Sequence, residues 1–337
     1  MTESEQEAFE ERLRLKIEAY HEAALLHAAV KLGLPDKMGS RSWPAEQLAN
    51  ALGLSAPHLN RFLRGLCTIG LCEELKDGTF ALTPFGQSLT SGSRLATKVQ
   101  IVVEQYWQPW ANLVACLQTG KPAFEHVFGM SIGDWRRENA EQSALFDSYL
   151  AKETLAQAGP VIEAVDFSRV GTVTEIGGGY SGLLAAILQA HPHIDGILFD
   201  RPPTIAAARS FLKSQGVADR VQLVGGDLLA GIPIQADLYL LKGVLQQWDD
   251  AHAVTILRNC RDAMPAHARL IVIERLMPLR PADDPNAVML DLHMMTITGG
   301  RARSLAAFET LLADAGLALS KVISTRSSLS SIEAARE

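Results

Sequence analysis

The sequence predicts an α/β protein in two parts, with a mostly helical N-terminal half and a C-terminal parallel sheet that helices cover on both faces. From about residue 170, short apolar runs such as "VGTVTEI", "GILFD" and "RLIVIE" alternate with helical stretches, which is typical of a doubly wound sheet. Residues 1 to about 165 have the apolar spacing of helices instead. A glycine-rich turn, "GGGYSG", joins the first predicted strand of the second half to its first helix.

The composition is that of a globular protein without a basic surface. The chain has 337 residues, of which 47% are hydrophobic, and a formal net charge of −7. This length supports two domains with separate cores, and the acidic balance argues against nucleic acid as a partner. We expect no signal peptide and no membrane span. The four cysteines form no CxxC pair and are expected to be free thiols in a reducing compartment, the cytoplasm.

The N-terminal half has the pattern of a winged helix. Residues 5–32 are predicted to form a long amphipathic helix, and two short helices then flank a "GLS" turn. The segment "KDGTFALTPFG" predicts a hairpin with Asp77 and Gly78 at its turn. A winged helix often binds DNA, but the predicted recognition helix has only Arg61 and Arg64 as basic residues. We therefore expect this region to pack a dimer.

The glycine-rich turn is the first sign of a cofactor site. Gly177, Gly178 and Gly179 allow a sharp turn and the close approach of a ligand. Asp200 and Asp227 end the second and third predicted strands, so we expect both at the same edge of the sheet as the turn. An acid at the end of the second strand is suited to two ribose hydroxyls, and Asp227 is placed to flank an adenine ring.

Two ligands suit this arrangement, a nicotinamide dinucleotide and S-adenosylmethionine (SAM). A dinucleotide site uses the pattern G-x-G-x-x-G, whereas here Glu175 stands two residues before the first glycine. A carboxylate at that position opposes a pyrophosphate and suits SAM, which has an ammonium group and a sulfonium cation. A tight turn without a ligand is the remaining alternative.

The order of motifs resembles that of the SAM-dependent small-molecule O-methyltransferases, which include caffeate, flavonoid and acetylserotonin enzymes and bacterial enzymes of polyketide and phenazine tailoring. The resemblance covers nearly the whole chain and rests on the glycine turn, the two aspartates and the segments "LQQWDD", "IVIERLMP", "DLHMM", "GGRARS" and "LLADAG". It implies a winged-helix-like dimerisation domain at residues 1–100, a helical connecting and acceptor-pocket region at 101–165, and a class I (Rossmann-like) methyltransferase domain at 166–337. It also implies a homodimer, with SAM as methyl donor and S-adenosylhomocysteine as product.

The resemblance also implies the residues of the cofactor site. These are Glu175, Gly177, Gly179, Asp200, Gly226, Asp227, Leu228, Lys242 and Trp248. In the family the glycines surround the methionine part of SAM, while Asp200 holds the ribose. Asp227 and Leu228 are expected to contact the adenine. Lys242 and Trp248 are expected to close the pocket.

The general base of the family is missing. The family motif is Leu-His-Asp-Trp-Asp-Asp, in which the histidine deprotonates the acceptor hydroxyl, but this chain has Gln246 at that position. Glu274 matches one of the two acids that support the histidine, whereas Ala302 replaces the other. These replacements indicate a changed mechanism, in which an acceptor that is already nucleophilic needs no base. A further departure is Ser181, where the family usually has a glycine.

Two histidines are candidates for a displaced base. His293 lies in the "DLHMM" segment, which lines the acceptor pocket in the family, and His126 lies in the helical connecting region. The alternative for both is packing in the wall of the pocket. No paired histidines lie near Gln246 in the sequence, apart from the surface-like pair His191 and His193. We therefore expect no metal, and the candidate catalytic residues are Gln246, Glu274 and His293.

An aromatic group on one predicted helix forms a candidate wall for a flat acceptor. Tyr106 or Trp107 shares a helix face with Trp110, although core packing is an equal alternative. The remaining candidate lining residues are His126, Phe128, Met130, Met289 and Met295. The sequence thus predicts a SAM-dependent methyltransferase for a small aromatic, heteroaromatic or enolic metabolite, with O-methylation favoured over N- or C-methylation. The alternatives are a SAM-binding enzyme that catalyses hydroxylation, decarboxylation or rearrangement, and a winged-helix regulator.

Overall fold

The computed structural model describes residues 2–337, with only the backbone of Glu3. The chain divides into two compact units after Trp107. The helices that follow this boundary therefore belong to the same unit as the sheet, and we describe each unit by itself. Within the described part of the chain, no helix combines the length and the hydropathy of a membrane span.

The first unit is a winged helix with additional helices at both ends. Its helices are α1 (Glu3–Glu18), α2 (Tyr20–Lys31), α3 (Leu34–Met38), α4 (Ala45–Leu52), α5 (Ala56–Thr68), α6 (Pro84–Gln87) and α7 (Arg94–Ile101), and a π-helical turn covers Val102–Tyr106. The hairpin consists of β1 (Cys72–Glu74) and β2 (Phe80–Leu82), which pair antiparallel. Gly53, at φ +68°, makes the turn between α4 and α5, and Gly78, at φ +78°, makes the turn of the hairpin. The core under this motif includes Leu63, Leu66 and Phe80.

The predicted long N-terminal helix is interrupted. Helix α1 ends at Glu18 and α2 begins at Tyr20, so that Ala19 alone separates them. Ala19 keeps a right-handed helical conformation, with φ −57° and ψ −21°. The interruption therefore changes the hydrogen bonding of one turn and not the helical character of the segment.

The second unit is a doubly wound α/β domain that begins with a run of helices. Its helices are α8 (Trp107–Ala111), α9 (Leu113–Thr119), α10 (Ala123–Phe128), α11 (Ile132–Glu138), α12 (Ala140–Ala164), α13 (Gly182–Ala190), α14 (Pro202–Ser214), α15 (Asp250–Ala263), α16 (Pro285–Ile297) and α17 (Leu305–Asp314). Its strands are β3 (Thr172–Ile176), β4 (Asp195–Asp200), β5 (Val221–Gly225), β6 (Leu238–Lys242), β7 (Arg269–Glu274), β8 (Leu317–Ser324) and β9 (Ser330–Arg336). Short 3₁₀ turns lie at Ala218–Arg220 and Leu245–Gln247.

The seven strands lie in the order β5-β4-β3-β6-β7-β9-β8. Strands β3 to β7 are parallel, whereas β9 is antiparallel to both β7 and β8. The predicted α/β fold is thus confirmed, and the chain ends in an antiparallel strand pair. The chain moves outward from β3 through β4 and β5 and then returns to place β6 on the other side of β3. Ligands of such sheets bind beside the carboxyl ends of the strands at this reversal.

Side chains from alternate positions of the strands form a core on each face of the sheet. Tyr239 and Leu241 face one cluster, which also contains Phe308. Leu238 and Leu240 face the other cluster, with helix α13. The strands are therefore apolar on both faces, as expected for a parallel sheet between helical layers.

Candidate functional site

The turn after β3 lies where three strand-end loops meet. Gly177 and Gly179 have φ values of +68° and +60°. A Cβ on Gly177 would lie 3.0 Å from Cγ2 of Val244 and 3.6 Å from Cδ1 of Leu228. Gly177 thus allows the loops after β3, β5 and β6 to approach closely. A Cβ on Gly179 would have no atom within 4 Å, so this side of the turn is open.

Glu175 supports the turn from beneath. Its side chain is 1% exposed, and its Oε2 accepts a hydrogen bond of 3.2 Å from the N–H of Leu184. Burial raises the pKa of this carboxyl to about 7. The carboxylate contacts the backbone of α13, whereas the sequence suggested that it would face a ligand's ammonium group.

Asp200 is the acid at the end of β4. Its Oδ2 accepts the N–H of Gly179 at 2.9 Å, and its Oδ1 accepts its neighbour's backbone N–H at 2.7 Å. Burial raises the pKa of Asp200, while these two N–H groups lower it. Gly226 donates its N–H to the carbonyl of Asp200 at 3.0 Å, and Asp227 accepts the N–H of Leu229 at 2.9 Å. The two aspartates therefore lie on adjoining, mutually bonded loops.

Helix α12 contributes polar groups that sequence reasoning missed. Lys242 donates from Nζ to Oγ1 of Thr154 at 3.2 Å. Burial lowers the pKa of Lys242, and the charges of Glu175 and Glu153 oppose this shift. On the same helix, burial and the charge of Asp200 raise the pKa of Asp147 to about 6. The sequence offered no sign of these contacts, because the helical pattern does not show which face of α12 lies beside Lys242 and Asp200.

The residues at this edge fit SAM. Asp200 presents a carboxylate at the end of the second parallel strand, where ribose hydroxyls bind in doubly wound folds. The open side of Gly179 leaves room for a ligand against the backbone. Lys242 and Trp248 are partly buried at the carboxyl end of β6 and in the loop after it.

The segment of residues 245–248, which we call the Gln246 loop, follows β6. The backbone N–H of Gln246 donates to Oε1 of Glu274 at 3.0 Å. The side chain of Gln246 is partly exposed, and within residues 2–337 its amide group has no hydrogen-bond partner. A Cβ on Gly300 would lie 2.1 Å from the carbonyl oxygen of Gln246, so only glycine permits this packing. The loop is thus held by its backbone, and the Gln246 amide is available to a ligand.

Of the two acid positions in the family motif, one holds a buried glutamate and the other an alanine. Glu274 is 1% exposed, and burial raises its pKa to about 7. Its Oε2 is buried without a hydrogen-bond partner among the described residues. Ala302 is buried, and its N–H donates to Oδ1 of Asp291 at 2.8 Å. The carboxylate of Asp291 therefore binds the backbone at the position of the lost acid.

The geometry of His293 does not favour a general base. The indole Nε1–H of Trp110 donates to Nδ1 of His293 at 3.2 Å, and the two rings lie nearly parallel at 21°. An indole can only donate, so Nδ1 is unprotonated and the neutral ring has its proton on Nε2. A proton could be added only at Nδ1, at the expense of the bond to Trp110.

The remaining candidate pocket residues are either partly buried or exposed. His126 is exposed and is hydrogen-bonded through Nε2 to Thr119 at 2.8 Å, so it does not face a buried pocket within its own unit. Phe128 packs against Phe124 and Trp135. The side chains of Tyr106, Trp107, Met130 and Met295 are partly buried, and that of Met289 is 51% exposed. Among residues 2–337 there is no group of three or more His, Cys, Asp or Glu side chains that could hold a metal ion.

Known proteins share both units of the chain. Sequence models of the O-methyltransferase domain and of the O-methyltransferase dimerisation domain match residues 110–318 and 16–92. The chain is 39% identical to the phenazine O-methyltransferase PhzM of Lysobacter antibioticus, over 94% of each protein. It is 37% identical to the O-demethylpuromycin-O-methyltransferase of Streptomyces alboniger, over 93% of this chain and 85% of that protein.

A solved structure adds the cofactor. The O-methyltransferase NcsB1 from neocarzinostatin biosynthesis, in complex with SAM and 2-hydroxy-5-methyl naphthoic acid, has a TM-score of 0.80 and 30% identity, over 94% of this chain and 96% of that one. These matches confirm the resemblance, the fold class and the cofactor. The chain belongs to the O-methyltransferase family and is a SAM-dependent methyltransferase.

Proposed function

We propose that the enzyme transfers the methyl group of SAM to a hydroxyl oxygen of a small aromatic or heteroaromatic metabolite, without a general base from the protein. The observation on which this proposal depends is the Gln246 loop. The amide of Gln246 has no basic atom at neutral pH, and the Glu274 carboxylate is buried against the loop backbone. The acceptor must therefore ionise by itself, as an acidic phenol or enol does.

The substrate class is supported by the relatives and by the aromatic side chains. The relatives described above are named for a phenazine and a puromycin precursor, and the solved structure holds a naphthoic acid. Trp110, with the nearly coplanar His293 ring hydrogen-bonded at its edge, offers a flat surface for a ring. We propose Met295 and Phe128 as further parts of the wall. A ring nitrogen is the second acceptor that needs no base, so N-methylation is the alternative outcome.

The protein contributes binding and alignment. SAM, when bound, supplies an electrophilic methyl group on its sulfonium. We propose that Gly177, Asp200, Asp227 and Lys242 hold the cofactor at the carboxyl ends of the strands. Gln246 then donates a hydrogen bond from its amide to the ionised acceptor oxygen and orients it. Holding two reactants in the right geometry can lower a barrier by several kcal/mol, which suits a site without a proton acceptor.

The substitution Gln246→Ala tests this proposal. We expect the methylation rate to fall by about tenfold or less, since a neutral hydrogen bond contributes roughly 1 kcal/mol. Loss of a general base would lower the rate by about 10²–10⁴-fold. The rate should be measured against pH with acceptors of different acidity. We expect the profile to follow the ionisation of each acceptor and not a group of the enzyme.

The controls are His293→Ala and His126→Ala. Suppose that one of them abolishes turnover while SAM still binds, and that an enzyme ionisation disappears from the pH profile. The base would then have moved to that histidine, and the proposal would be wrong. Mass spectrometry that finds a converted acceptor without an added methyl group would instead support hydroxylation, decarboxylation or rearrangement.

We also propose that the first unit forms a homodimer. Helix α1 and the start of α2 expose large apolar side chains, among them Leu13 at 48%, Ile17 at 66% and Tyr20 at 56%. Such a face is expected to be covered in the assembled protein, and obligate interfaces bury more than about 2,000 Å². Light scattering should give twice the chain mass at micromolar concentration. A single chain mass across that range would contradict the proposal.

A further inference from the structure

Arg303 is a buried cation that binds the Gln246 loop. The residue is 1% exposed. Nη1 donates to the carbonyl of Leu245 at 2.7 Å, and Nη2 donates to the carbonyl of Trp248 at 2.8 Å. Nε donates to Oδ1 of Asp250 at 2.9 Å. The backbone of Arg303 is fixed as well, because its carbonyl accepts the N–H of Met277 at 2.9 Å.

The loop is held from the opposite direction by Glu274. Glu274 accepts the backbone N–H of Gln246. Arg303 donates to the carbonyl of Leu245, which precedes Gln246, and to that of Trp248, two residues after it. The charge of Arg303 also lowers the pKa of Glu274. A buried carboxyl group and a buried guanidinium thus act on one short turn without a direct salt bridge. Each partly compensates the cost of burying the other.

We propose that Arg303 is a positioning residue for methyl transfer, which holds the Gln246 loop in the shape that presents the Gln246 amide to the acceptor. The inference rests on the proposed function in one respect, namely that Gln246 faces the acceptor. A planar guanidinium can bind two carbonyls about one turn apart at fixed angles, which an ammonium group cannot do. Arg303 therefore sets the position of the loop.

The expected effect follows from the need for alignment. Where a site has no base, its rate depends on the geometry of the two reactants, and a misplacement of about 1 Å can reduce the rate by about 10²-fold. Because Arg303 acts through the Gln246 amide, Arg303→Lys should lower kcat by no more than Gln246→Ala does, about three- to tenfold. KM for the acceptor should change by less than about threefold, because the walls of the pocket remain in place.

The experiment compares Arg303→Lys with Arg301→Lys. Arg301 lies in the same segment and contacts the same partner, since its Nη1 donates to Oδ2 of Asp250 at 3.3 Å, but its side chain is 59% exposed. Arg301→Lys should keep kcat within about twofold. Equal losses of kcat in the two variants would overturn the proposal. Arg303→Gln, which keeps donors for the carbonyls, is the second variant if Arg303→Lys does not fold.

Hydrogen exchange of the peptide 243–250 tests the positioning role without catalysis. Arg303→Lys should exchange faster there than the wild type, whereas Arg301→Lys should not. Exchange and kcat like those of the wild type in a folded Arg303 variant would overturn the inference. If Gln246→Ala leaves the rate unchanged while Arg303→Lys loosens the loop and lowers kcat, the orienting role proposed for Gln246 is wrong and the positioning role stands. If Arg303 acts through Gln246, adding Gln246→Ala to Arg303→Lys should lower kcat little further.

Discussion

Asp200 and Glu274 end two strands of the same sheet, yet their carboxylates have different surroundings. Asp200 remains partly exposed, and it accepts N–H groups from Gly179 and from its neighbour Arg201. Glu274 is almost fully buried and accepts the N–H of Gln246. The first carboxylate can still bind a ligand, whereas the second is directed into the protein.

The difference extends to the neighbours of each residue. On the acceptor side, Glu274, Arg303 and Asp291 all direct their charges at backbone groups of the Gln246 loop or of Ala302. Such contacts hold a shape and transfer no proton. On the cofactor side, Asp200 keeps an acid where the ribose of SAM is expected. We therefore propose that this family member binds SAM as its relatives do and relies on alignment in place of proton transfer.

The largest expected effect concerns the buried acid of the acceptor side. Burial raises the pKa of Glu274 from 4.5 to about 7. The folded protein therefore holds a proton between these pH values that the unfolded chain has released, and stability falls as pH rises through this window. The fall amounts to roughly 3 kcal/mol. The glutamine of Glu274→Gln does not titrate. Between pH 5 and 8, the unfolding free energy of this variant should therefore fall by roughly 3 kcal/mol less than that of the wild type.

Urea unfolding at several pH values measures this effect. Glu309→Gln is the control, because it makes the same change at an exposed position on α17. Part of the slope should remain in Glu274→Gln, since burial also raises the pKa of Glu175 to about 7. If the unfolding free energy of Glu274→Gln changes with pH as steeply as that of the wild type, the contrast between the two acids is wrong.

The architecture could be predicted because it depends on local patterns. Alternating apolar runs and helices gave the parallel sheet, and Asp77-Gly78 gave the hairpin, where Thr79 bonds to the Asp77 carboxylate as this turn chemistry requires. The interruption at Ala19 was not predictable, since alanine favours helix and nothing nearby breaks it. Local patterns therefore predict element types better than they predict where helices are interrupted.

The site was predictable only in part, because its contacts connect distant segments. The sequence contained Arg303 in "GGRARS", but not its bond to Leu245, 58 residues earlier. It marked Glu175 as an acid near a glycine turn, but the N–H of Leu184 that receives its carboxylate depends on the packing of α13. The sequence placed His126 in a segment predicted to line the pocket, but not its exposed position or its bond to Thr119. Motifs identify which residues are unusual, and packing decides where their side chains point.

The contrast also predicts a smaller effect on the cofactor side. Asp200→Ala should weaken SAM binding by about 1.5–3 kcal/mol, the range for losing hydrogen bonds to a charged group, which raises Kd by about 10- to 150-fold. Asp195→Ala, at the opposite end of β4 and exposed to solvent, should leave Kd unchanged. Calorimetry with SAM distinguishes the two variants. If Asp200→Ala binds SAM as tightly as the wild type, then Asp200 serves only to hold Gly179, as Glu274 holds Gln246, and the two sides of the site would not differ in kind.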